Sequence, residues 1–409
     1  MSSLPAPKQA FSAGTPVIIG VIGFLTLVNL FAAQAILPML AERFGASPAE
    51  TGFAVNASTI GMALAGLGVV FWGGAVDRRF GVVGSLALLS LPTFALSAVD
   101  DLTVFTALRI AQGALMVTAF SLTMSYLAER CTAAQSATAL AAYVTGVVAS
   151  NLIGRLAAAS VADAFGAPAS FMLFAALNLA GALLAFAALR AARPMGSALE
   201  IPHNPAKVIR DHLSNACLRT GFAIGFLILF AFIGVFTYVN FVLAAPPLGL
   251  SAMALGLVYL VFLPSMLTTP FAGAVAARFG ARRSFILSLA SSLAALPLLV
   301  IPSLPPVLAG LAIVGVGTFF AQATATGFVA RAAKRDRAAA SGLYLSSYYL
   351  GGLTGAALVG AVYERAGWPS AIALAGAALG AAALLAMMLK KSTAESAAAD
   401  ARVSAQARA

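Results

Sequence analysis

Charge is what this sequence has least of. Only 9% of its 409 residues are Asp, Glu, Lys or Arg, whereas 61% are hydrophobic and the mean hydropathy is +0.97. Soluble proteins carry roughly 25% charged residues, so this composition excludes a water-exposed globular domain. Apolar stretches of about 18 residues or more can cross a bilayer as helices. The sequence therefore predicts an integral membrane protein.

Cysteine, histidine and lysine are also scarce, and their placement excludes further classes of protein. Cys131 and Cys217 fall at helix ends on the predicted cytoplasmic side, where thiols stay reduced, so no disulfide is expected. His203 and His212 have no cysteine or carboxylate at metal-ligand spacing. No lysine follows a glycine, which excludes a P-loop and a nucleotide-driven pump. We expect no cofactor, no metal and no enzyme active site.

Clusters of charge, proline and glycine divide the chain into twelve apolar segments. Each is about as long as a helix that crosses the hydrocarbon core. The predicted spans are 16–40, 51–76, 82–99, 102–128, 136–162, 169–190, 218–244, 251–277, 284–301, 307–330, 338–362 and 368–389. We therefore expect an all-α integral membrane fold, and the first span is too long for the apolar region of a cleaved signal.

The cations are concentrated on one side of these spans. Of the 24 Lys and Arg, Arg43 and Arg365 lie in outside loops, Arg109 and Arg155 lie in spans, and all others are on the side of the N-terminus. Positive loops face the cytoplasm, so both termini are predicted to be cytoplasmic. The net charge of +11 then reflects contact with anionic lipid, and nucleic-acid binding is not expected.

The chain repeats itself about halfway along. GAVDRRFG, which ends at Gly81, returns as GAVAARFG, which ends at Gly280, and residues 143–166 match residues 344–367 without a gap. A repeat of this length predicts two pseudo-symmetric six-helix bundles related by an axis along the membrane normal. The predicted domains are an N-terminal bundle (1–190), a cytoplasmic linker with a short surface helix (191–217), a C-terminal bundle (218–389) and a disordered tail (390–409).

Three short motifs fit this organisation. The second span is followed by GGAVDRR, RIAQGAL begins at Arg109 in the fourth, and the eleventh contains YLSSYYLGGLTG. Together with the duplicated halves, they resemble the major facilitator superfamily of secondary transporters, and the eleventh span is similar to its bacterial drug and sugar efflux branch. The resemblance implies transport by alternating access in the bacterial inner membrane, by a protein that we expect to be a monomer.

The resemblance also implies a conformational latch in the loop after the second span. In the family, the loop Asp faces the cytoplasmic end of the eleventh helix and holds the halves together while the site opens outward. A carboxylate near a helix N-terminus is stabilised, which gives such a latch a physical basis. An alternative is that these charges are solvated topology signals. The predicted latch residues are Gly73, Gly74, Asp77, Arg78, Arg79 and Gly81.

Arg109 and Arg155 are the two cations inside spans, at matching depths from the outside. Buried ionisable groups face a cavity or a partner, so they are candidates for coupling, for anion binding or for helix packing. Arg109 belongs to the family's fourth-helix motif RxxQG. Arg155 stands in the fifth span where the antiporter signature has small residues, and the loss of that signature leaves the direction of transport open.

None of the 13 acids lies deep in a span, which disfavours a cationic substrate. Any proton coupling would use peripheral acids such as Glu50 or Asp163, changes linked to the arginines, or a carboxylate of the substrate itself. Neutral polar residues near mid-depth are candidates for the substrate cavity: Asn29, Gln34, Gln112, Asn151, Tyr238, Asn240, Gln322, Tyr344 and Tyr348. We expect proton-coupled efflux of a drug, sugar or metabolite. The alternatives are an organic-anion transporter and a receptor or scaffold that transports nothing.

Overall fold

The computed structural model describes residues 15–72, 76–130, 133–189, 205–333 and 337–389, and every regular element in them is a helix. Six spans precede the linker: Thr15–Ala32 with Leu37–Phe44, Pro48–Asn56 with Ser58–Trp72, Arg78–Ala95, Leu102–Arg130, Ala133–Phe165 and Ala167–Ala188. Six follow it: Ala216–Ala244; Ala252–Val258 with Leu263–Thr268 and Ala272–Phe279; Ala281–Ala295; Leu304–Ala332; and Arg337–Met388, which holds the last two.

The predicted fold class is confirmed. Among the described residues, nine helices are long and apolar enough to cross a membrane. The last of them, Ala339–Met388, contains two spans, because Gly367 with φ of 77° interrupts Arg337–Met388. Two of the twelve spans are not among these nine helices. The second is broken at Ala57, and the third is only 18 residues long and starts with two arginines.

The two halves repeat in detail. Gly166 and Gly367, which are equivalent in the repeat, both have positive φ, and each starts a new span two residues before a proline. Gly154 and Gly355 are also equivalent, and neither has room for a Cβ because the backbone of a neighbouring span lies against it. The first span thus packs along the fifth as the seventh packs along the eleventh.

The duplicated loop differs between the halves for a local reason. Asp77 is the N-cap of the third span, and its Oδ1 accepts a hydrogen bond from the Phe80 N–H at 3.0 Å. The equivalent residue, Ala276, has no capping oxygen, so the eighth span continues to Phe279 and turns at Gly280, with φ of 87°. The next helix therefore begins right after Asp77 in the first half, but only after Gly280, the equivalent of Gly81, in the second.

The segment predicted as the linker contains a helix, Pro205–Ser214, which contacts the seventh span and the helix that holds the last two spans. We call the side of the molecule with this helix the linker face and the other side the opposite face. The rest of the linker, 190–204, and the predicted tail, 390–409, lie outside the described residues.

Candidate functional site

A cavity of about 620 Å³ lies between the two halves. Its walls include Ser125 and Val329, near the linker-face ends of the fourth and tenth spans, and Ser341, near the start of the eleventh. Its deep end is formed by Phe31 and Phe232. The cavity therefore extends from the middle of the bundle toward the linker face.

At the opposite face the two halves are in contact. Asn56 of the second span donates its Nδ2–H to Thr237 Oγ1 of the seventh at 3.0 Å. The Tyr238 side chain lies between Gly52 and Gly360, where a Cβ on either glycine would overlap its hydroxyl. The Tyr238 hydroxyl donates to the carbonyl oxygen of Ala356. The structure is thus closed at the opposite face.

No Asp, Glu, Lys, Arg or His lines the cavity in the part of the chain that the structure describes. Its deep end is aromatic: the Phe232 ring centroid lies 6.0 Å from that of Phe31 and 5.2 Å from that of Phe319. Phe120, Tyr348 and other apolar side chains complete the walls. This surface suits an apolar body better than a charged one, because nothing in it offsets the desolvation of a charge.

Most hydroxyls of the lining are already satisfied. Those of Ser125, Ser150, Thr318 and Thr326 each donate to a carbonyl of their own helix at 2.7–3.0 Å. By contrast, Asn151 Oδ1 and the Tyr344 hydroxyl are buried without a partner among the described residues. The side chain of Gln322 also forms no hydrogen bond there. These three side chains line the cavity and can offer hydrogen bonds to a ligand.

Four of the nine predicted cavity residues line the cavity: Asn151, Gln322, Tyr344 and Tyr348. Three predicted residues of the first half do not line it in this conformation, and their side-chain amides donate to neighbouring helices. Gln34 Nε2 donates to Asn56 Oδ1 at 2.7 Å, Gln112 Nε2 donates to Thr93 Oγ1 at 2.7 Å, and Asn29 Nδ2 donates to the same oxygen at 3.3 Å.

Two predicted residues of the seventh span, Tyr238 and Asn240, also lie outside the cavity lining in this conformation. Tyr238 belongs to the closed opposite face, and Asn240 Nδ2 donates to the Tyr259 hydroxyl at 2.8 Å. Rotation of a helix about its axis decides whether a polar side chain faces a neighbouring helix or the cavity. Polar residues in a nearly all-apolar helix give no periodic signal for that rotation.

Arg109 is buried, and all five of its N–H groups have acceptors. They are the carbonyls of Asn29, Leu30 and Val55, the Gln112 side chain and the Ser58 hydroxyl, at 2.7–3.2 Å. Val55 and Ser58 flank the break at Ala57 in the second span. Arg109 thus joins the first, second and fourth spans. In this conformation it packs helices together, which is one of the three roles considered for it.

Arg155 is fully buried between the halves, above the deep end of the cavity. Its Nη2 donates to Gln34 Oε1, and its guanidinium lies 4.8 Å from the ring centroid of Phe31 in its own half. On the other half it lies 4.2 Å from Tyr259 and 4.9 Å from Phe262. Its Nη1 is buried without a partner in the residues described. Arg155 therefore makes cation–π contacts with the other half, and its Nη1 can still donate a hydrogen bond.

The predicted latch residues are partly described. Gly73 and Gly74 lie outside the described residues. Asp77 caps its own helix, and Gly81, helical in the third span, lies against the end of the Leu122 side chain. Arg78 Nη1 donates to the nearby Val76 carbonyl at 3.1 Å, whereas Arg79 contacts the sixth span, with its guanidinium 4.4 Å from the Phe186 ring centroid. The latch itself stays a prediction.

Four phenylalanines of the cavity wall were not predicted from the sequence: Phe31, Phe120, Phe232 and Phe319. Phenylalanine is abundant throughout the chain, with 27 residues, so its presence at one depth is not distinctive. These four residues could have been recognised from the repeat. Phe31 in the first span is equivalent to Phe232 in the seventh, and Phe120 in the fourth is equivalent to Phe319 in the tenth, all near mid-depth.

Comparison with known proteins gives one family. The sequence model of the Major Facilitator Superfamily matches residues 19–263 and 225–407. The inner membrane transport protein YnfM of Escherichia coli K12 is 27% identical over 375 residues, which cover 90% of this chain and 89% of that protein. YybF of Bacillus subtilis 168, an MFS-type transporter, is 22% identical, with 80% of this chain and 81% of that protein covered.

Solved structures share the fold. A bacterial homologue of the human lysosomal transporter Spinster, in an inward-facing and occupied conformation, superposes with a TM-score of 0.76 over 93% of this chain and 97% of its own, at 14% identity. The nucleoside transporter NupG, as its D323A mutant, has a TM-score of 0.71 over 92% of this chain and 100% of its own, at 16% identity.

Proposed function

Because the chain belongs to the Major Facilitator Superfamily, we propose that it exports a small organic compound across the bacterial inner membrane by alternating access, in exchange for protons. The observation that carries the proposal is a cavity between the halves that extends to the linker face while the opposite face is closed. The positive-inside count favours a cytoplasmic linker face, and the YnfM relative is an inner membrane protein. An exported compound would load from this side.

The lining favours an uncharged, largely apolar compound. A sugar presents many hydroxyls, whereas Asn151, Gln322 and Tyr344 offer few groups to bond them. A cation would find no carboxylate in the lining, in the part of the chain described. Within the efflux hypothesis, an amphipathic drug or metabolite with one or two hydrogen-bonding groups is therefore the best fit.

An organic anion is the second candidate, and one observation favours it. Arg155 keeps a buried N–H without a partner in the described residues, directly above the aromatic end of the cavity. If Phe31 moves aside, this N–H would meet an anion that enters from below. The anion would also offset the desolvation of the guanidinium.

Peripheral acids are the route for proton coupling that this proposal favours over changes linked to the arginines or a carboxylate of the substrate. Glu50 Oε2 accepts the Ser47 N–H at 2.9 Å in a capping box, and Glu364 Oε1 accepts the Ala49 N–H at 2.7 Å, both at the opposite face. Asp163 is exposed near the same face. These acids would take up protons from the outside. Protons must enter from that side if they are exchanged for an exported substrate.

A flux experiment in proteoliposomes tests the proposal. The panel contains a neutral aromatic amphiphile, a neutral sugar, a lipophilic cation and a weak organic acid, each with and without a pH gradient. We expect movement of the neutral amphiphile that is driven by a proton gradient of the opposite direction. Gradient-driven flux of the organic acid that Arg155→Met abolishes would favour the second candidate. Absence of flux for every compound would favour a receptor or scaffold.

A further inference from the structure

The second and eleventh spans lie side by side across the boundary between the halves. They run in opposite directions, and Ser346 of the eleventh donates its hydroxyl to the Ala63 carbonyl of the second at 2.8 Å. Each span is followed by an acid, Asp77 after the second and Glu364 near the end of the eleventh. Because the spans are antiparallel, each acid lies at the membrane face where the other span has its N-terminus.

Glu364 already caps the second span in this structure. Its Oε1 accepts a hydrogen bond at 2.7 Å from the N–H of Ala49, the second residue of helix Pro48–Asn56. N–H groups in a first helical turn lack intrahelical acceptors and carry the positive end of the helix dipole, so a carboxylate is favoured there. This bond connects the second half of the molecule to the first.

The bond belongs to one conformation. Ala49 and Glu364 are in different halves at the opposite face, so opening that face must separate them. At the linker face, where the halves enclose the cavity, Asp77 bonds to Phe80 of its own helix. No hydrogen bond or ion pair joins Asp77 to the described residues of the eleventh span.

We propose that Glu364 is an electrostatic latch that holds the opposite face closed, reciprocal to the latch predicted for Asp77 at the linker face. Glu364, at the end of the eleventh span, then caps the second span when the opposite face is closed. Asp77, after the second span, caps the eleventh when the linker face is closed. The latch acts on the conformational equilibrium and does not depend on which compound is transported.

The repeat supplies a matched comparison. Asp163 is equivalent to Glu364 and is exposed at the same face, but its carboxylate forms no hydrogen bond or ion pair in the residues that the structure describes. At that boundary the fifth and eighth spans are joined by Arg155 with Tyr259 and Phe262 instead. The two sides of the opposite face are thus closed by different chemistry, and only one of them uses an acid at a helix N-terminus.

The experiment measures the width of the opposite face in the full-length protein. Spin labels at Ala98→Cys and Ser303→Cys, exposed loop positions of the first and second half, report the separation by double electron–electron resonance. The background carries Cys131→Ser and Cys217→Ser. The variants are Glu364→Gln, Glu364→Lys and, as the matched control, Asp163→Asn.

We expect Glu364→Gln to raise the ratio of open to closed opposite face roughly two- to five-fold, the range for a surface carboxylate at a helix N-terminus. Glu364→Lys should raise it further, because a cation is repelled there, while Asp163→Asn leaves it unchanged. Glu364 is exposed, so these variants should elute as the same monodisperse species. An unchanged distance distribution in both Glu364 variants, or an equal shift in Asp163→Asn, would overturn the proposal.

Discussion

Two buried arginines at the same depth have different surroundings. Arg109 has five acceptors, three of them backbone carbonyls of the first and second spans. Arg155 has two hydrogen bonds, one of them 3.4 Å long, and three aromatic rings. Arg109 has an acceptor for every N–H group, all within its own half, which indicates a structural role. The contacts of Arg155 join the two halves, so they must change when the halves move.

Replacing Arg109 should therefore destabilise the first half. Four of the five bonds of Arg109 reach other helices, because Gln112 lies in the same helix. Interhelical hydrogen bonds in membranes contribute about 0.6 kcal/mol each, so Arg109→Met should cost about 2 kcal/mol. We expect the melting temperature of the detergent-solubilised protein to fall by several degrees. Arg155→Met, with fewer bonds to lose, serves as the control and should show a smaller fall. If Arg109→Met keeps the wild-type melting temperature but loses transport, Arg109 acts on substrate or coupling.

Two tyrosine hydroxyls allow a similar separation of roles. The Tyr344 hydroxyl lines the cavity without a partner among the described residues, whereas the Tyr238 hydroxyl bonds to Ala356 at the closed face. Tyr344→Phe should raise the KM for the substrate roughly three- to ten-fold, as expected for loss of one hydrogen bond, with no loss of thermal stability. Tyr238→Phe should leave substrate binding from the linker face unchanged. Equal effects of the two variants on KM would contradict this assignment.

The duplicated loop shows how one residue changes a helix boundary and complicates a test. Asp77 caps the third span and is also the predicted latch, so its loss would affect both. Asparagine caps a helix about as well as aspartate, while alanine does not. Asp77→Asn should therefore favour opening of the linker face with little loss of stability, and Asp77→Ala should add a cost of about 1 kcal/mol. Accessibility of cysteines placed at both faces measures how often each face is open. If Asp77→Ala shifts this ratio and Asp77→Asn does not, Asp77 acts only as a helix cap and the latch is rejected.

The spans were predictable because hydrophobic length and loop charge are properties of the chain itself. The twelve spans, the linker helix and the equivalence of Gly166 with Gly367 all follow from patterns in the sequence. The orientation of Gln34 and Gln112 did not, because it depends on how each helix is rotated against its neighbours. The break at Ala57 was also missed, since no proline or glycine marks it and Arg109, far along the chain in the fourth span, bonds to the Val55 carbonyl just before it.

The contacts between the halves are distributed unevenly along the membrane normal. At the opposite face they include Asn56 with Thr237, Glu364 with Ala49, and Arg155 with two rings of the eighth span. Toward the linker face the space between the halves is the cavity. A rigid-body rotation of one half about the middle of the bundle would open the first set of contacts and close the cavity, which is the motion that alternating access requires.

A crosslink across the opposite face tests this motion. Ser160 Oγ lies 3.7 Å from Met253 Sδ, which joins the ends of the fifth and eighth spans across the halves. In a background free of native cysteines, Ser160→Cys with Met253→Cys should be joined by a short bifunctional thiol reagent. We expect the crosslinked protein to lose transport, because its opposite face cannot open, yet to bind substrate from the linker face, and a reducible linker should restore flux when cleaved. Each single cysteine with the same reagent is the control. Undiminished flux through fully crosslinked protein would mean that the substrate leaves by a route other than the opposite face.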